Sequence, residues 1–115
     1  LKIRFENPSV EKYFKDFNYM SKEKGKEFTR TTKKRFDQLK AAPNFIIYLQ
    51  TGLGKPHSLS GNLKGCYGIS ITGNLRLIVR PDVDNLEPDS LKECDTVIIE
   101  GVVDYHGKKY ECIIP

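Results

Sequence analysis

The chain has 115 residues, 38% of them hydrophobic and 30% charged, the balance of a globular fold and not of a disordered or membrane-embedded chain. That length supports one modest core, so a single domain over residues 1–115 is expected, and no apolar run approaches the about 18–20 residues that cross a bilayer. The net charge of +4 conceals an asymmetry, because residues 1–64 carry 14 Lys/Arg against 6 Asp/Glu while residues 65–115 carry 5 against 9; a polyanion-facing surface is one reading of such a split and solubility alone is the other.

In chain order, "LKIRF" alternates apolar and polar residues as a short strand does. "NPSV" is a helix start, with Asn7 as N-cap and Pro8 in the first turn, where a missing N–H costs nothing. Val10, Tyr13, Phe14, Phe17 and Met20 follow at helical spacing and predict one core-facing side. Gly25 punctuates the chain, and a second helix is expected from Lys26 to Ala42. At about 100° per residue, Phe28, Thr32, Phe36 and Leu39 share one side of it. Lys26, Arg30, Lys33 and Lys40 lie near the opposite side, joined by Lys22 if the helix extends back that far. This stripe is either a solvated face or a rail that tracks a nucleic-acid backbone. Pro43 closes the helix, and "NFIIYLQTG" predicts a short helix ending at Gly52.

The glycine-rich loop "LGKPHSLSGNLKG" changes the character of the chain. "CYGISI", a "TG" or "TGN" turn, and "LRLIVR" then form a β-hairpin signal. "PDVDNLEPDSLKE" reads as an acidic surface loop, "DTVIIEGVVDYH" as the longest strand, and "KKYECIIP" as a final edge strand. Helices preceding strands predict an α+β fold: a compact antiparallel sheet of about four or five strands with the N-terminal helices packed on one face. The opposite face is then available for work.

The chemistry-bearing residues gather in the second half. The long strand ends in Asp104, Tyr105 and His106; the hairpin supplies Arg76 and Arg80; the glycine-rich loop supplies Lys55, His57 and Lys64. Metal-free RNA cleavage needs a base for the ribose 2′-OH, an acid for the leaving 5′-oxygen, and cations for the charged phosphorane. Histidine, tyrosine and carboxylates suit the first two roles, and the arginine fork suits phosphate. The plain alternatives are a polar strand end, arginines paired with Glu100 or Asp104 across the sheet, and a loop histidine without a task. No metal-ligand spacing and no phosphate-binding glycine loop is present, so neither a metal nor a small-molecule cofactor is expected. Cys66, Cys94 and Cys112 form no ligand motif and read as free thiols of a reducing cytoplasm. The charged start "LKIRFENPSVEKYF" carries no apolar signal core.

"SLSGNLKGCYGISITGNLRLIVR" followed by "VIIEGVVDYH" resembles the HigB branch of the RelE/ParE toxin superfamily. Leu59 and Gly61 of the loop, Arg76 of the hairpin and the terminal Asp-Tyr-His carry the resemblance. It implies a RelE-like fold, a cytoplasmic toxin that cleaves mRNA on the translating ribosome, and a helix-turn-helix antitoxin of the HigA type. Membrane and cofactor have no part in it. By position it assigns Arg76 to the phosphate, His106 to proton transfer, Tyr105 to stacking or hydrogen bonding, and Asp104 to orienting them, with help from Arg80 and Lys64. Lys26, Arg30 and Lys33 would dock ribosomal RNA, and Lys55 or Lys64 would compensate for Ser60 and Ser70, which stand where many members have basic residues. The chain also continues past His106, where many members end. Two other functions are compatible with the same fold: a ParE-like gyrase inhibitor, and a catalytically decayed antitoxin- or nucleic-acid-binding module.

Overall fold

In the computed structural model, residues 1–107 and 109–115 are described. The chain runs β1 (Lys2–Phe5), α1 (Pro8–Lys15), α2 (Phe17–Lys24), α3 (Lys26–Ala41), α4 (Phe45–Thr51), β2 (His57–Ser58), β3 (Tyr67–Ser70), β4 (Leu75–Pro81), α5 (Pro88–Glu93), β5 (Thr96–His106) and β6 (Lys109–Ile114).

Side-chain capping decides where the helices break. Asn7 Oδ1 accepts the Val10 N–H at 2.9 Å, with Pro8 in the first turn. The expected helix through Met20 is instead two, because Asp16 leaves helical geometry and its Oδ1 accepts the Tyr19 N–H at 3.1 Å. An aspartate that caps the next segment competes with continuation of the first. Gly25 then ends α2 with φ 96°, a conformation side chains disfavour, so Lys22 does not join the stripe on α3. On α3 the expected core residues Thr32, Phe36 and Leu39 are buried, and Phe28 packs partly against them.

The strands form one sheet in the order β1-β5-β4-β3-β2, with β6 also paired to β5. Because β4 runs along one whole side of β5, β1 and β6 share the other side end to end, β1 along Thr96–Ile99 and β6 along Val102–His106. The sheet is therefore six-stranded and mixed, not wholly antiparallel: β1 lies parallel to β5. The helices that intervene carry the chain back across, as a parallel pairing requires. Where β1 gives way to β6, the backbone of Ile114 crosses Gly101 so closely that a Cβ there would sit 2.1 Å from the Ile114 carbonyl oxygen. Only glycine fits that crossing.

One face of the sheet is the main core, where Val10, Phe14, Met20, Phe36, Leu39 and Phe45 meet Ile69, Leu77, Val79, Val97, Ile99 and Val102. Each such side chain contributes about 1.5–3 kcal/mol by leaving water. The other face was expected to stay open, and the glycine-rich loop covers part of it. Leu59 and Leu63 pack on a smaller cluster of Cys66, Ile78 and Val103, with Tyr105 and Tyr110 at its edge. The acidic excursion also differs from a plain loop. It contains α5, which starts at Pro88 and anchors Leu91, 3% exposed, against the core.

Candidate functional site

The hairpin tip and the end of β5 converge. Ile71 and Leu75 close the turn, with Thr72, Gly73 and Asn74 between them, and the Asn74 carbonyl accepts the Tyr105 N–H at 2.9 Å. Arg76 stands opposite Val103 and Leu75 opposite Asp104. Strand alternation then divides the group between two faces. Leu77, Val79 and Val102 define the helix-covered face; Ile78 and Val103 define the other. Arg76 and Tyr105 therefore share the less covered face, while Asp104 and His106 project to the opposite side at the sheet's end.

His106 is well exposed, at 56% of its side chain, and its Nε2 lies 2.9 Å from Asp104 Oδ1. Asp104 Oδ1 is itself buried and, among the described residues, has no well-aligned donor, so the contact with His106 is close but off the hydrogen-bond axis. The other ring nitrogen, Nδ1, is 3.5 Å from the Asn74 side-chain nitrogen. An amide donating to Nδ1 leaves the ring proton on Nε2, facing the carboxylate. Arg76 Nη1 donates to the Gly73 and Leu75 carbonyls at 2.8 and 2.9 Å, which folds the guanidinium against the turn; its remaining N–H groups have no acceptor among the described residues and can bind an anion. Asn74 was not singled out from the sequence; its one signal is its place in the "TGN" turn.

The other candidates fall elsewhere. Arg80 shares a face with Arg76, but its Nη2 is 3.1 Å from Glu6 Oε2 and its Nε 3.7 Å from Glu100 Oε1. The contact with Glu100 is the cross-sheet pairing that the sequence also allowed; the closer one, with Glu6, comes from just after β1 and was not anticipated. His57 sits on β2 opposite Gly68, three strands from β5, so it and His106 are roughly 20 Å apart by strand spacing and rise. Lys55 is exposed, beside the Gly54 whose carbonyl accepts the Ser70 N–H at 2.7 Å; Ser70 in turn pairs with Arg76. Lys64 is exposed at the end of the 3₁₀ turn Gly61–Leu63. On α3, Lys26 is exposed, while Arg30 and Lys33 make 2.7 Å pairs with Glu27 and Asp37. Such exposed pairs contribute a few tenths of a kcal/mol and leave the cations accessible.

A second titratable cluster was missed as such. Burial pushes the Glu100 carboxyl up to about 7, reinforced by Glu6 and opposed by Arg80. Glu6 moves down, chiefly through its hydrogen bond with Glu100. Among the described residues Glu100 Oε2 is buried without a donor, which is satisfied if that oxygen carries the proton and donates it to Glu6. Burial, helped by Glu100, pushes the neighbouring Cys66 thiol up to about 11, so it is no ready nucleophile. Among the described residues no group of three or more His, Cys, Asp or Glu is placed to hold a metal ion. No described helix is long and apolar enough to cross a membrane.

No protein-family model matches the chain, and no curated protein is significantly similar to it in sequence. Solved structures do match. A chain of the YoeB–YefM complex from Staphylococcus aureus is 22% identical over 92% of this chain and 97% of that one, with a TM-score of 0.56. The same coverage and score hold for the heterotetrameric YoeB–YefM toxin–antitoxin complex of that organism. The Staphylococcus aureus YoeB dimer is 23% identical, with a TM-score of 0.55. At this identity the likeness establishes the fold alone, an α+β sheet with helices on one face.

Proposed function

We propose that this chain is the toxin of a type II toxin–antitoxin pair, of the HigB branch, and that it cleaves mRNA on the translating ribosome without a metal ion. The reading rests on one observation above the others: on a fold shared with YoeB, Arg76 and the contacting pair Asp104–His106 stand at the same end of the sheet, on its two faces. In this reading the scissile phosphate lies at that end, between the hairpin tip and the last residues of β5. The ribose 2′-oxygen attacks phosphorus as its proton is taken, a cyclic phosphate forms, the bond to the 5′-oxygen breaks, and that oxygen receives a proton. His106 is the exposed group able to move these protons, and Asp104 holds its ring. The free N–H groups of Arg76 stabilise the doubly charged phosphorane, where a fixed donor is worth most. Lys64 and Lys55 add positive potential from the loop, Tyr105 offers a stacking surface, and Lys26, Arg30 and Lys33 face ribosomal RNA. The partner is an antitoxin, of the HigA helix-turn-helix type; the matched complexes, with their YefM antitoxin, support such a partner in kind.

One observation favours a second reading, a binding module without nuclease chemistry. Arg80 is committed to Glu6 and Glu100, which leaves fewer cations for a phosphate. Both readings are tested by adding the purified protein to a translating bacterial extract and mapping mRNA 5′ ends for wild type and His106→Ala. New ends inside the ribosomal A-site codon, reduced about 10²–10⁴-fold in the variant, are expected from loss of general acid–base catalysis. A folded wild type that produces no new ends sinks the nuclease reading.

A further inference from the structure

Beyond His106 the chain turns back as β6, and this strand brings a second tyrosine to the face that carries Arg76. Tyr110 pairs directly with Tyr105 across the two strands. Their rings lie near-parallel, at 16°, with centroids 6.1 Å apart. Both are half-buried and rest on the Cys66, Ile78 and Val103 cluster, so their orientation is set before any ligand arrives. Facing them, the chain from Ser60 to Leu63 forms a second wall, and the two enclose a cleft of about 470 Å³. Among the described residues no carboxylate lines it, and the exposed Lys64 follows directly in the chain.

We infer that this cleft takes one unpaired base of the RNA strand, stacked on the tyrosines and read at its edge by Asn62. The inference rests on the RNA-cleaving reading and deepens it. Near-parallel aromatic rings suit the planar π-face of any base. The Asn62 amide supplies both a donor and an acceptor for a base edge. The volume lies within the about 300–1,000 Å³ range of small-ligand sites. A cationic ligand would find no carboxylate here. Arg76 stands opposite Val103, two residues before Tyr105 on the same face, so its backbone is about 7–8 Å from that of Tyr105. A nucleotide whose phosphate rests on Arg76 therefore has its neighbour's base within reach of the cleft. Tyr110 and Asn62 are the residues that would set preference at that position, and no reacting bond passes through either.

The test is the same translating extract, with cleavage sites sequenced for wild type, Tyr110→Ala, Tyr110→Phe and Asn62→Ala. Loss of a stacked base predicts cleavage about tenfold slower in Tyr110→Ala, with the base preference flattened at one nucleotide beside the cut. Tyr110→Phe keeps both rate and preference. Asn62→Ala changes preference at that same nucleotide; its side chain is exposed, so it also decides the matter if Tyr110→Ala fails to fold. Unchanged rate and site distribution in folded Tyr110→Ala and Asn62→Ala, with wild type cleaving, would overturn the cleft and leave the nuclease reading intact. Absence of cleavage by wild type would remove both.

Discussion

Replacing Glu100 by glutamine should make the protein more stable at neutral pH and leave it unchanged in acid. The folded carboxyl titrates at about 7 against an ordinary 4.5, because burial and Glu6 disfavour its charge. Between those values the native state keeps a proton that the unfolded chain releases, so stability falls as pH rises through that window. The difference corresponds to a ceiling of about 3 kcal/mol. Water reaching a side chain 24% exposed reduces this to about 1–2 kcal/mol. Glu6, whose folded value is lowered, acts below pH 4.5 and leaves the window to Glu100. Glutamine keeps a donor for Glu6 and an acceptor for Arg80 and Cys66 without a charge to titrate. Thermal melts of both proteins from pH 4.5 to 8 should therefore coincide at the acid end and separate by about 4–8 °C at the other. Groups common to both cancel in the comparison. Parallel curves across the whole range would refute the assignment of a buried proton to Glu100.

Gly101→Ala should destabilise the protein by about 1–3 kcal/mol in denaturant melts, since its Cβ would displace the Ile114 carbonyl where β6 closes on β5. Equal stability would mean that the crossing relaxes freely. On the proposed ribosome-dependent reading, neutralising Lys26, Arg30 and Lys33 together should weaken ribosome association and flatten its log–log salt dependence by about 0.7–0.9 for each phosphate no longer neutralised. An unchanged slope would assign the stripe to a solvated face whose cations serve only Glu27 and Asp37.

Much of the fold was legible because it depends on local signals. Asn7 and Pro8 mark a helix start, Gly52 ends one with φ 69°, and "TGN" closes the hairpin, each through chemistry contained in a few neighbouring residues. The split at Asp16 was written in the same alphabet, but five apolar residues at helical spacing outweighed one capping side chain. Helix α5 was hidden because its only buried anchor is Leu91, too little for any periodicity to register.

The sequence by itself determined which residues could do chemistry: two arginines four apart on one strand, and Asp104, Tyr105 and His106 at the end of another. Alternation even fixes that Tyr105 points away from its two neighbours. Only the tertiary structure decided which of them meet. The strand order sets His57 far from His106, the return of the chain from Phe5 gives Arg80 to Glu6, and the register of β6 brings Tyr110 beside Tyr105. Pairings between residues 74 positions apart, as in Glu6 and Arg80, leave no periodic trace along the chain. They arise when a whole sheet buries its core face, and the polar groups on the other face must then find partners where the packing has placed them.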